Sequence, residues 1–100
     1  MASRLELHEK FKKILGSKNV YFQPPARMDY PCIKYSLAGI DIKRANNAIY
    51  NSINRYEVIV IDYDPDSTIH TEILNSFRMC SFDRSYKANN LNHFVLTLYF

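Results

Sequence analysis

At 100 residues, with 47% hydrophobic and 23% charged positions, the chain can enclose one two-layer core and is not a disordered charged tail. Only 2 glycines and 4 prolines exclude a collagen-like or low-complexity chain, and no apolar run approaches the ~20 residues that span a bilayer. The formal charge of +3 is uneven, +3 over residues 1–30, +2 over 31–60 and −2 over 61–100, which suits head-to-tail contact between copies as well as it suits nucleic acid.

The charged start Met1-Ala2-Ser3-Arg4-Leu5-Glu6 has no signal-peptide apolar region, so folding in a cytoplasm is expected. Ser3 and Glu6 form a capping box, Leu7, Phe11, Ile14 and Leu15 make one apolar stripe, and Gly16 is a natural stop, which predicts a first helix. Glu6 with Lys10 and Glu9 with Lys13 stand at i, i+4 on its wet side, each pair worth ~0.3 kcal/mol. Val20-Tyr21-Phe22 reads as a short strand ended by Pro24-Pro25, and Ala26 to Tyr30 as a loop. Pro31 opens a second strand, Cys32 to Leu37, with Ile33, Tyr35 and Leu37 on one face.

From Gly39 to Asn54 the pattern weakens: Asn46, Asn47, Asn51 and Asn54 crowd together, with Lys43, Arg44 and Arg55 nearby, and the isoleucines fit no clean period. The segment is either a long exposed hairpin or a projecting loop, and a loop of that length in a compact domain is usually functional or disordered. Tyr56 to Tyr63 is the clearest strand. Both of its faces are apolar at the centre, as in a strand covered on both sides. Two helices hardly cover both faces of a sheet, so another protein is a candidate cover for the second one.

Asp64-Pro65-Asp66-Ser67 is a strand-to-helix turn, with Asp64 or Asp66 as helix cap and Ile69, Ile73, Leu74 and Phe77 as the stripe of a second helix. Met79 to Tyr86 and His93 to Phe100 are strands joined by an Asn-rich turn over Ala88–Asn92, the last strand burying Phe94, Leu96, Leu98 and Phe100. The order α-β-β-(loop)-β-α-β-β lacks strand–helix alternation. It predicts one α+β domain over residues 1–100, a mostly antiparallel sheet with two helices on one face and a long hairpin or loop between the middle strands.

The chemistry-bearing candidates each have a plain structural reading. Asp62, Asp64 and Asp66 begin like a calcium loop, but Ser67 stands where the turn glycine belongs, Pro65 intrudes and Glu72 falls one place short, so strand-end and capping roles are expected and no metal site. His8, His70 and His93 are scattered over different elements. Tyr21, Phe22, Tyr30, Phe82 and Tyr86 would suit base stacking on a sheet, but the aromatic-glycine pattern of RNA-binding sheets is absent and core or subunit packing is expected. Cys32 and Cys80 are expected as buried reduced thiols, with a disulfide or a reactive thiol as the alternative. No nucleophile elbow, zinc-protease helix or Gly-rich phosphate loop is present, so no catalytic residues and no cofactor are expected.

Val20-Tyr21-Phe22-Gln23-Pro24-Pro25, Tyr30-Pro31-Cys32-Ile33, Tyr56 through Ser67, Cys80-Ser81-Phe82-Asp83-Arg84 and Asn90-Leu91-Asn92-His93-Phe94 resemble the small neck and tail proteins of tailed bacteriophages, closest to the tail terminator and tail-completion group. The resemblance covers most of the chain in order. It implies a structural virion protein, assembled in the bacterial cytoplasm, whose hexameric ring ends the tail tube and joins the tail to the head connector. The implied partners are further copies of the chain, the tail tube protein and connector or adaptor proteins, with genomic DNA passing through the lumen. On that reading the contact segment is Lys43, Arg44, Asn46, Asn47, Ile49, Tyr50, Asn51, Asn54 and Arg55, with Lys43 and Arg44 facing either protein or DNA. The alternatives are another neck tier (a head-completion or adaptor protein), a small nucleic-acid-binding protein using the Lys-rich first helix, and a metal-dependent hydrolase built on Asp62, Asp64, Asp66 and His70.

Overall fold

The apolar stripes and strand-forming runs assemble in the expected order in the computed structural model, which describes residues 4–23, 27–45 and 48–100, with the backbone alone at 43–45 and 48–51. Among these residues the elements are α1 (Arg4–Leu15), β1 (Val20–Phe22), β2 (Cys32–Ala45), β3 (Ala48–Asp62), α2 (Ile69–Ser76), β4 (Cys80–Ala88) and β5 (Leu91–Tyr99). The strands form one five-stranded sheet in the order β1-β2-β3-β5-β4. Every neighbouring pair is antiparallel except β1 with β2, which run parallel. The fold is α+β, a single small domain.

Register fixes the faces. Val20, Ile33, Val60 and Phe94 lie side by side across four strands, as do Phe22, Tyr35, Val58 and Leu96. These residues, with Tyr56 and Leu98, form the core against Leu7 and Phe11 of α1 and Ile73 of α2, so both helices cover the same face. Ile14, Leu15, Ile69, Leu74, Phe77 and Phe100 close its rim, Phe100 being only partly buried. Tyr35 is the hub: its ring meets Phe11, Phe22 and Tyr56 at centroid distances of 5.2, 5.1 and 5.9 Å. Its hydroxyl lies 2.7 Å from His8 Nδ1 and accepts a hydrogen bond from Arg4 at 3.5 Å. Aromatic pairs of this kind add about 0.5–1.5 kcal/mol each beyond their buried area.

Local signals act largely as read. Gly16 takes φ 71°, and its N–H donates to the Lys12 carbonyl at 2.9 Å, closing α1. Asn89 and Asn90 take φ 53° and 61°, the two left-handed positions of a type I′ turn, so the β4–β5 hairpin is tighter than the five-residue turn expected. On α1, Glu9 pairs with Lys12 at i, i+3 rather than with Lys13, while Lys10 leans over the rings of Phe77 and Phe100. Ser3, Pro24, Pro25 and Ala26, given capping, strand-ending and loop roles above, lie outside the described residues.

Two expectations need correction. The second helix starts at Ile69, not at Pro65 or Ser67, so neither Asp64 nor Asp66 is its cap. The acidic run makes two consecutive Asx turns instead, Asp62 Oδ1 accepting the Asp64 N–H at 3.2 Å and Asp64 Oδ1 the Asp66 N–H at 2.9 Å. The second strand does not stop at Leu37, and Leu37 does not share the burial of Ile33 and Tyr35: it is 47% exposed, because it lies past the end of the helix layer. Part of the second face of β3 is covered from within the chain, where Met28 and Tyr30 of the loop before β2, with Tyr21, pack against Cys32, Ile61 and Leu91.

Leu98 is fully buried at the centre of the core. Leu98→Ala should lower the unfolding free energy by about 2–5 kcal/mol in urea titration, whereas Leu5→Ser, at a position 66% exposed, should leave the midpoint nearly unchanged.

Candidate functional site

The segment 39–54 is a β-ribbon. β2 and β3 stay in antiparallel register out to Ala45 opposite Ala48, with register shifts between Leu37 and Gly39 and between Lys43 and Arg44. The flanking strands stop early: β1 ends at Phe22 opposite Tyr35, and β5 at Tyr99 opposite Arg55. One last bond, Phe100 N–H to the Asn54 carbonyl at 3.0 Å, ties the C-terminal residue to the ribbon's base. Beyond it the two strands stand without a third among the described residues. Eight steps of strand rise from Leu37 to Ala45 reach roughly 26 Å, about half of the molecule's 51 Å length, against widths of 26 and 24 Å.

The ribbon has two unlike faces. On β3, Tyr56 faces the helices, and by strand alternation so do Asn54 and Ser52. Their partners on β2 are Leu37, Ile40 and Ile42. These three are 47%, 53% and 44% exposed, an apolar strip that continues the core's face into solvent. The other face carries Gly39 with Arg55 and Asp41 with Ile53. The Arg55 guanidinium lies across the space where a Gly39 side chain would stand, so Gly39 lets the arginine fold over the ribbon's root.

Of the residues expected to make partner contacts, Asn54 and Arg55 thus sit at the ribbon's base, both half-buried. Lys43 and Asn51 share one register position near the tip, and Arg44 and Ile49 the next. Tyr50 follows Ile49 on β3, and Asn46 and Asn47 lie outside the described residues. The residues missed by sequence reading are Ile40 and Ile42 as a surface strip. Their i, i+2 spacing was the available signal.

The other candidates do not converge. His8 and His70 lie on the helix side and His93 on the opposite face, where it stacks on Tyr86 at 4.7 Å. Phe22 and Phe82 face the helix side, while Tyr21 and Tyr86 face the other, so the five aromatic residues make no single stacking platform. Among the described residues no group of three His, Cys, Asp or Glu side chains is placed to hold a metal ion, and no helix is long and apolar enough to cross a membrane. Cys32 and Cys80 are free thiols, both pushed up to about 11 by burial; Cys32 is buried as expected, and Cys80 is only partly so.

Burial lowers the pKa of His70, and burial followed by the charges of Lys12 and Arg4 lowers that of His8. His70 stacks on Phe94 with centroids 4.2 Å apart and planes 5° from parallel, and its buried Nδ1 has no hydrogen-bond partner among the described residues.

No protein-family model matches the chain, and no curated protein matches it.

A histidine whose pKa falls on folding is held neutral in the native state. Its contribution is complete above the unfolded value of 6.5 and is lost as the pH drops from there toward the folded value. Stability should therefore fall on acidification below about pH 6.5. His70→Phe, which keeps the stack on Phe94 and removes the unpaired nitrogen, should raise the thermal midpoint and make that fall shallower, His8 supplying the remainder. An equally steep fall in the variant would contradict this account.

Proposed function

We propose that the protein is a structural ring protein of a tailed-phage neck or tail, six copies of which close the end of the tail tube and join it to the head connector. The observation that carries the reading is the ribbon, a two-stranded arm with an exposed apolar strip projecting from a domain whose own core is complete without it. An isolated two-stranded hairpin is marginal in water. Such an arm is stable when it lies on something, and a ring offers every copy a neighbour. The element order supports the reading too, with helices on one side of an antiparallel sheet and a long hairpin between its middle strands. Six equivalent subunits around a tube would each present the ribbon to a neighbour, to the tube below or to the connector above. The basic positions Lys43 and Arg44 near its tip suit an acidic protein surface or DNA in the lumen.

The test separates folding from assembly. Light scattering and two-dimensional class averages should give a six-fold ring for the full chain. Replacing residues 43–52 by a Gly-Ser link should leave the circular dichroism of a folded domain and the mass of a monomer, and tails made with it should not join heads. Ring formation by the shortened chain would refute the ribbon's role, and a full chain that stays monomeric would refute the ring.

A further inference from the structure

Resting on that ring reading, we infer that the ribbon of one copy docks on the Asp62–Asp66 turn of the next copy, its apolar strip against Tyr63 and its basic tip against the carboxylates.

The two surfaces are opposite ends of one strand. β3 begins in the ribbon at Ala48 and ends at Asp62. Fourteen steps of strand rise separate them by roughly 48 Å, nearly the whole length of 51 Å. A contact between them within one molecule is therefore excluded, and between copies the same contact, repeated head to tail, is heterologous and of the kind that closes into rings.

Each end supplies what the other lacks. The ribbon presents Leu37, Ile40 and Ile42 with Lys43 and Arg44 beyond them. The far end presents Tyr63, 64% exposed and braced edge-on by Tyr30 at 6.3 Å, flanked by Asp62, Asp64 and Asp66. This end is already ordered: Asn92 Nδ2 donates to the Tyr63 carbonyl at 3.2 Å and the Ser67 N–H to the Asp64 carbonyl at 3.2 Å, so little conformational entropy is lost on docking. Charge favours this seat over the outer edge of β4. That edge carries Arg84 and Lys87 against Asp83, the same sign as the ribbon tip, and like charges across an interface oppose docking. The acidic turn carries the opposite sign.

Two charge-reversed chains test the pairing. Lys43→Glu with Arg44→Glu makes the ribbon tip acidic, and Asp64→Lys with Asp66→Lys makes the turn basic. Each variant alone should be folded by circular dichroism and monomeric by light scattering at concentrations where the unmodified chain forms rings. Mixed one to one, each ribbon meets an opposite turn on the other variant, and the ring mass should return with the two chains alternating. Because Asp64 Oδ1 holds a turn hydrogen bond, Tyr63→Ser and Ile42→Ser serve as milder variants. Each should raise the concentration for half-assembly at least ten-fold with the fold intact. Assembly of both reversed variants on their own, or a folded mixture that stays monomeric, would overturn the contact while leaving the ring reading standing. An unmodified chain that forms only dimers, with the same loss and rescue, would overturn the ring and keep the contact. A monomeric unmodified chain would overturn both.

Discussion

The constraint on which the rest of the structure depends is the double burial of β3. This strand pairs with β2 on one side and β5 on the other, and it carries Tyr56, Val58 and Val60 on one face and Ile59 and Ile61 on the opposite one. Two helices of twelve and eight residues cover one face of such a sheet and no more. The chain solves half of the remaining problem locally, folding Met28 and Tyr30 back over Ile61 and Cys32. On the rest of that face polar groups do the work: Thr97 Oγ1 donates to Asp83 Oδ2 at 2.6 Å, and Tyr86 stacks on His93. The second face is therefore a mixed surface of apolar, aromatic and polar groups.

The same constraint explains what the sequence disclosed and what it hid. The helix stripes, the strand core of Tyr56–Val60 and the alternation Phe94, Leu96, Leu98 were legible because each faces one continuous apolar layer, which imposes a period. The ribbon was not, because past Leu37 there is no layer to face. Ile40 and Ile42 alternate with Asp41 along an exposed ribbon, and a bulge after Leu37 breaks the count. The start of α2 was hidden for a different reason. Asp64, Asp66, Ser67 and Thr68 are all competent caps, and choosing among them depends on Asn92, thirty positions away, which fixes the turn through the carbonyls of Asp62 and Tyr63. The cover of Met28 and Tyr30 over Ile61 is equally non-local.

The root of the ribbon is braced from both of its strands. Tyr35, two residues before Leu37, joins β2 to α1 through His8 and Arg4, and Arg4 also lies over Phe22 at 4.3 Å. On the opposite strand the Phe100 N–H reaches Asn54, and the Phe100 ring packs edge-on against Phe77 at 5.9 Å. On the other face Arg55 folds across Gly39. A lever is only as well aimed as its fulcrum, and here the first helix, the second helix and the C-terminal residue all converge on it. The register shift between Leu37 and Gly39 sits just beyond, where an extra residue alters the ribbon's pairing outside the core.

This arrangement divides the free energy of the chain into two parts that act at different times. The core is complete in the isolated domain, since its fully buried side chains lie on the sheet or on the helices short of Leu37. The strip of Leu37, Ile40 and Ile42 contributes nothing to it, yet each Å² of apolar surface that the strip later hides is worth roughly 25 cal/mol. That contribution is realised only when another surface covers it. An arm built this way does not compete with folding, because its apolar residues have no seat in their own domain, and its opposite face carries charge at Asp41 and Arg55. Apolar contact supplies the stability of docking, and the charges select which surface is docked upon.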